Sequence, residues 1–222
     1  AHSISYAMIA YLTAYFKANY TEEYLTALMN AHTGQGEKIG ADVTECLRLN
    51  IPVLLPDINR SGVNFTIDPN VEVGPSVRFG LASIKNIGTS AVKPLISERD
   101  KNGIYTSIED LCRRTDLSNI NRRGMESLIK AGAMDCIADR GSLLASLDQI
   151  MAFAQRETKL KESGQTTMFD MLGEEVDVPF NPINMQTGEI SGQEKMFWEK
   201  ELLGTFVSEN PLSTLAYRLP HN

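Results

Sequence analysis

The chain has 222 residues, of which 42% are hydrophobic and 22% charged, with a formal net charge of −7. This is the make-up of an ordinary globular protein with material for one large domain or two small ones, and its acidity excludes a surface that grips nucleic acid all over. No run of about 18 apolar residues occurs, which excludes a long apolar membrane helix, and residues 7–16 lack the basic leader of a secretory signal. The first residue is Ala and helical periodicity starts at once, so the sequence reads as a piece of a longer protein.

Tyr6, Ile9, Ala10, Thr13 and Ala14 recur at helical spacing and predict a helix over 3–18. Thr21 is placed to cap a second helix, with Glu22 and Glu23 in its first turn and an apolar run to Met29. A third helix is expected over 37–49, with Ile39, Val43, Cys46 and Leu47 along one side. Pro52 and Pro56 mark an extended connection, with Asp57 in a turn. Short strands are expected over 63–67 and 77–80, separated by a turn at Asp68, Pro69 and Asn70. Later helices are expected over 108–113, over 121–131 with Asn121 as cap and Gly132 as stop, and from Gly141 or Ser142 to about Ser163. Residues 173–192 combine Gly and Pro with acidic residues and read as a linker or irregular surface loop, before a last helix over 193–203. The expected fold is mainly α with a few short strands, divided into 1–76, 77–140 and 141–222.

The segment 79–96 reads as two short helices joined by a tight turn at 86–88. Leu81, Ile84, Ile87, Ala91, Val92, Leu95 and Ile96 would pack the two together. Thr89 or Ser90 would cap the second helix, and Pro94 would lie in or just past its first turn. Amide groups at such a helix start, the positive end of the helix dipole and the neighbouring Lys85 and Lys93 make an anion site, with a nucleic-acid phosphate the natural anion. Asn86 tolerates the left-handed backbone that Gly usually supplies in such a turn, and Gly88 follows it. Residues 107–131 repeat the plan: a helix, a polar turn with Arg113, Arg114, Arg122 and Arg123, then an apolar helix. Two such units would hold successive phosphates of one strand; the plainer alternative is a helical hairpin with a solvated basic face. Charge is distributed accordingly. Residues 78–130 hold ten Lys or Arg against six Asp or Glu, a balance of +4, and the remainder sums to −11.

A second motif, QTTMF at 165–169, sets Gln165 ahead of two small polar residues and the pair Met168 and Phe169. Two large apolar side chains after a charged helix suit a partner's apolar pocket, with Gln165 bonding at its rim; a local packing turn is the alternative. Cys46, Cys112 and Cys136 lack zinc-type spacing and are expected as buried thiols in a reducing compartment. No phosphate-cradling Gly-rich loop occurs, no closely spaced carboxylate pair stands in a strand, and His2, His32 and His221 have no evident partners.

Assembled in order, these pieces resemble the α subunit of bacterial DNA polymerase III, a replicative polymerase. The resemblance runs through HSISYAMIAYLTAYFKA at 2–18, LPDIN at 55–59 with Phe65, FGLASIKNIG at 79–88, LIKAGAMD at 128–135, and WEKELLG at 198–204 with NPL at 210–212. The family pattern carries Gly where this chain has Asn86, Phe where it has Met134, and usually His where it has Asn210.

The resemblance implies a multi-helical fingers domain containing helix-hairpin-helix-like elements, followed by the start of a clamp-binding region. It implies DNA contact through Lys85, Asn86, Gly88, Thr89, Ser90, Lys93, Arg122 and Arg123, and docking of Gln165, Met168 and Phe169 into the sliding clamp. His2, Ser5 and Tyr6 would lie near the incoming nucleotide. No cofactor is expected in this segment, and the Mg²⁺ ions of the parent polymerase would be held by palm aspartates upstream. The implied partners are duplex DNA, the sliding clamp and, through the longer chain, other replicase subunits; no membrane is involved and the location is cytoplasmic. A stand-alone helix-hairpin-helix DNA-binding or repair scaffold is the rival reading. A nearer rival is the error-prone paralogue, which the intact 165–169 peptide disfavours.

Overall fold

The computed structural model describes residues 2–70, 74–162 and 183–208. Three helices come first: α1 His2–Asn19, α2 Thr21–Ala31 and α3 Gly36–Arg48. Thr21 is the first helical residue of α2 rather than its cap, and its hydroxyl donates back to the Lys17 carbonyl at 2.9 Å. Leu25 and Met29 of α2 and Ile39, Val43 and Cys46 of α3 are buried against each other and the sheet that follows. α1 is different. Ile4, Tyr6, Met8, Ile9, Tyr11, Leu12, Tyr15 and Phe16 are all exposed, and the helix packs along α2, with an ion pair from Lys17 to Glu45 of α3 at 2.7 Å.

The strands are β1 Val53–Leu54, β2 Thr66–Asn70 and β3 Gly74–Arg78, in the order β1-β3-β2. β3 runs parallel to β1, with Val53 opposite Val77, and antiparallel to β2, with Ile67 opposite Val77. The stretch Asp68, Pro69, Asn70 expected as a turn is therefore strand. Pro69 faces Pro75, a position where neither residue donates to the ladder, so two prolines fit the pairing without losing a bond. Arg78 is buried and crosses from β3 to Asp68 of β2 at 2.6 Å while donating to the Leu55 carbonyl at 2.9 Å. Asn30 of α2 donates to the Phe65 carbonyl and accepts from the Phe65 amide, which stands in for a ladder partner and fixes the helices to the sheet.

After a 3₁₀ turn at Leu81–Ser83 come α4 Thr89–Asn102, α5 Ile108–Arg114, α6 Arg122–Lys130, α7 Arg140–Ala145, α8 Leu147–Glu162 and α9 Gly192–Leu203. The single helix expected from 141 to 163 is two, broken at Ser146. The buried Ser146 hydroxyl accepts the Gln186 amide at 2.8 Å, so the break is where the returning chain is fastened. Of the segment 173–192, residues 173–182 lie outside the described residues; 183–191 have no regular structure, as expected, and are held to the body by buried Ile183 and by Gly188 against Gly141, backbone to backbone. Ser191 and Glu194 then form a capping box that starts α9.

One core runs from Leu25 in α2 to Leu203 in α9, so the mainly α expectation with a few short strands holds. Cys46 and Cys112 are buried, and burial pushes their thiols up to about 11 and about 12. Cys136, expected to be buried, is exposed and accepts a contact from the Asn59 amide at 3.5 Å. His32, read as partnerless, bonds Asp42 of α3 at 2.6 Å. Among the described residues, no helix is long and apolar enough to cross a membrane.

Gly80 sits where the sheet passes into the 3₁₀ turn, and a Cβ there would lie 2.3 Å from the Asn64 carbonyl carbon. Backbone cannot yield as a flexible side chain can. Gly80→Ala is expected to destabilise the chain by about 1–3 kcal/mol, read as a lowered urea midpoint at unchanged slope.

Candidate nucleic-acid interface

The hairpin is built on the apolar set that the sequence marks. Leu81, Ile84, Ile87, Ala91, Val92 and Leu95 are buried and Ile96 partly so. Its first helix is only the 3₁₀ turn Leu81–Ser83, and its second, α4, is longer than expected and runs on to Asn102. Pro94 is consequently the sixth residue of α4. Its ring removes the hydrogen bond that a sixth residue would donate to Ser90, so it lies beyond the free first turn.

Asn86 adopts the left-handed conformation, with φ of 71°. Its amide also donates to the Ser127 hydroxyl of α6 at 3.0 Å, a bond Gly could not make, so the turn is tied to the second unit. Ile87 closes the same joint: a Cβ on Gly124 of α6 would lie 3.4 Å from the Ile87 side chain.

Thr89 and Ser90 do not cap α4. Gly88 occupies the cap position in extended geometry and makes no side-chain cap; its carbonyl takes the Ala91 amide at 3.0 Å, while the Thr89 and Ser90 amides have no acceptor among the described residues. An uncapped start leaves more donors open to an anion than a capped one would. Thr89, Ser90 and Lys93 are exposed and share one face at i, i+1 and i+4, opposite the buried Ala91, Val92 and Leu95. Lys85 is exposed in the turn. Among the described residues Lys85, Lys93 and Arg123 form no ion pair.

The second unit is α5, a connection over 115–121 and α6. Both helices are capped: Ser107 accepts from the Asp110 amide at 3.1 Å and Asn121 from the Gly124 amide at 2.8 Å. Its four arginines divide by role. Arg114 is internal, donating to the carbonyls of Gly103 and Ile104, pairing with Glu98 and Asp110, and lying over the Tyr105 ring at 4.8 Å. Hydrogen bonds from Asn102 and then Arg114 hold the Glu98 carboxyl below its usual range. Arg113 lies over the Phe153 ring at 5.8 Å. Arg122 pairs with Asp148 of α8, both solvent-exposed, and Arg123 is exposed. A groove of about 650 Å³ runs beside Arg122 between the 117–122 connection and α8, floored by Leu117, Ile120 and Met151.

His2, Ser5 and Tyr6 fall at i, i+3 and i+4 of α1, on one face of that helix, and Ser5 and Tyr6 are exposed. Gln165, Met168 and Phe169 lie outside the described residues. Among the described residues no group of three or more His, Cys, Asp or Glu is placed to hold a metal ion. Two contributors to the turn, Ser127 and the Leu202 carbonyl that accepts the Lys85 amide at 3.0 Å, are marked by no pattern in the sequence. Both lie more than forty residues from the turn, beyond the reach of any local periodicity.

Residues 50–143 match the family model described as a helix-hairpin-helix motif. The chain is 34% identical over 212 residues to a DNA polymerase III subunit alpha of Thermus aquaticus, covering 96% of this chain and 16% of that one. To the protein of the same name from Borreliella burgdorferi it is 38% identical over 214 residues, with 96% and 18% covered. To that of Mycobacterium tuberculosis it is 34% identical over 226 residues, with 99% and 18% covered. The chain thus spans roughly one sixth of the length of these relatives.

Asn86→Ala is expected to cost about 1–2 kcal/mol, because Ala resists the left-handed conformation and leaves Ser127 without its donor. Asn86→Gly should cost less, and paired thermal melts of the two variants measure the difference. By sequence along nearly its whole length, this chain is a homologue of one region of the DNA polymerase III α subunit, the region that carries a helix-hairpin-helix motif.

Proposed function

We propose that this chain is the part of a replicative DNA polymerase that holds template–primer duplex by its backbone and tethers the enzyme to the sliding clamp. The observation that carries the first half is the uncapped start of α4, flanked by Lys85 and Lys93, both without an ion pair among the described residues. Open amides and nearby cations suit a phosphate oxygen and carry no base information, so the contact is independent of sequence. Arg123, exposed at the start of α6, offers a second contact, and Arg122 a third once it leaves Asp148. The Asn86–Ser127 bond and the Ile87–Gly124 contact set the two units at a fixed spacing, as holding successive phosphates requires.

In this reading the longer protein carries out nucleotidyl transfer in the cytoplasm with Mg²⁺ held by aspartates outside this chain. The residues here bind and orient, with His2, Ser5 and Tyr6 placed near the incoming nucleotide. This chain alone then carries no polymerase activity, and other replicase subunits are reached through the rest of the protein.

Lys85→Ala and Arg123→Ala should each weaken binding to a DNA duplex and flatten the dependence of log affinity on log salt by about one unit for each phosphate no longer neutralised. Unchanged slopes would show that these side chains do not touch phosphate. For the tether, replacing Gln165, Met168 and Phe169 together by Ala should abolish binding to the sliding clamp in a titration. Wild-type affinity in that variant would remove the peptide from the interface.

A further inference from the structure

We propose that α9 is a positioning element for the DNA-contacting turn, a bracket that holds residues 84–88 from behind. This rests on the reading of that turn as a phosphate contact. A helix-hairpin-helix unit ordinarily sets its turn with a helix on each side, but here the leading helix is the three-residue 3₁₀ turn Leu81–Ser83. Within residues 84–88 the one backbone bond is from the Ile87 amide to the Ile84 carbonyl. So short a segment does not hold its own geometry. The support comes from two distant helices: α6 through Ser127, and α9 through the Leu202 carbonyl, which takes the Lys85 amide at 3.0 Å. That carbonyl lies in the last turn of α9, where no intrahelical donor competes for it.

α9 is itself fixed against sliding by three contacts. Glu199 is fully buried and accepts the amides of Val207 and Ser208, both at 3.0 Å, and the Ser208 hydroxyl at 2.8 Å. Beside it, at 3.7 Å, lies buried Arg140, which is held by both oxygens of Asp135 and by the Lys130 carbonyl of α6. Trp198 lies under the Lys130 ammonium at 5.2 Å. At the far end, Gly204 takes the left-handed conformation and meets α3 so closely that a Cβ would lie 2.7 Å from the Gly36 Cα. The end of α9 is thus wedged between α3 and the hairpin. Glu199, Arg140 and Gly204 act on DNA through the Leu202–Lys85 bond and not by contact.

Two variants of the full 222-residue chain test this: Gly204→Ala, which wedges α9 away from α3, and Glu199→Gln, which keeps the shape but removes the buried charge. Amide exchange is read at Lys85, with the core amides Val92 and Leu95 of α4 as an internal reference for folding. Binding of a labelled DNA duplex is measured across a salt series, with Lys85→Ala in parallel. Exchange at Lys85 should quicken by at least about tenfold against the reference in both variants, and the salt slope should fall by about one unit. Unchanged Lys85 exchange in variants whose α9 amides have opened would overturn the bracket whatever the DNA result. Faster exchange with an unchanged slope, where Lys85→Ala still lowers it, would overturn the positioning role and leave the DNA contact standing. If Lys85→Ala leaves the slope unchanged, the phosphate reading fails and the positioning role with it.

Discussion

The hairpin region depends on how one irregular stretch, residues 57–61, satisfies its buried backbone. Loops inside a core carry carbonyls and amides that water cannot reach, and each must find a partner. Here Arg99 of α4 donates one guanidinium nitrogen to the carbonyls of Ile58 and Ser61, at 3.1 and 2.7 Å. The Ile58 amide reaches the Ala133 carbonyl at 2.7 Å, and the fully buried Ser61 hydroxyl donates to the Phe79 carbonyl at 2.7 Å. Asn59 exchanges two bonds with the Tyr105 backbone, and Tyr105 in turn donates its hydroxyl to the Leu95 carbonyl. Through these bonds the strand exit at Phe79, the body of α4, the entry to α5 and the end of α6 share one reference point. The turn at Asn86 takes its place from α4 and α6, with α9 behind it through the Leu202 carbonyl.

That arrangement also sorts the charge. The +4 balance of residues 78–130 suggests a uniformly basic face, yet three of its cations point inward to work as hydrogen-bond donors. Arg78 joins β2 and β3, Arg99 holds the 57–61 stretch, and Arg114 closes the loop at Gly103 and Ile104. Arginine suits such places because its planar donors can serve several carbonyls at once and it stays charged. What remains for a partner is Lys85, Lys93, Lys101 and Arg123, exposed and without an ion pair among the described residues, with Arg113 over the Phe153 ring, Lys130 paired to Glu126, and Arg122 in a solvent-exposed pair that costs little to break. A small positive surface on an acidic chain favours one orientation on DNA over diffuse adhesion.

α1 stands outside this network of satisfied groups. A helix apolar on every side is normally buried, and here its apolar side chains are exposed although it packs along α2 and pairs with Glu45 of α3. The relatives are several times longer than this chain, so neighbouring polypeptide is available in them to cover such a surface.

Most of the helices, the apolar face of the hairpin, the left-handed tolerance of Asn86, the Asn121 cap and the Gly132 stop are determined by sequence alone, because periodicity, capping and permitted backbone angles are local properties. The failures share one cause. Asp68, Pro69 and Asn70 have turn character but pair as an edge strand because β3 offers a ladder. Ser146 fits a helix interior but breaks one because Gln186 arrives to use its hydroxyl. Thr89 and Ser90 are good caps by type, yet Gly88 takes the cap position of α4, directly after Ile87, which is buried against α6. Which arginines turn inward, and that Ser127 and Leu202 hold the turn, was decided only by tertiary structure. Those partners are brought together by packing between helices far apart in the chain, and no local pattern encodes which distant carbonyl will be left in need of a donor.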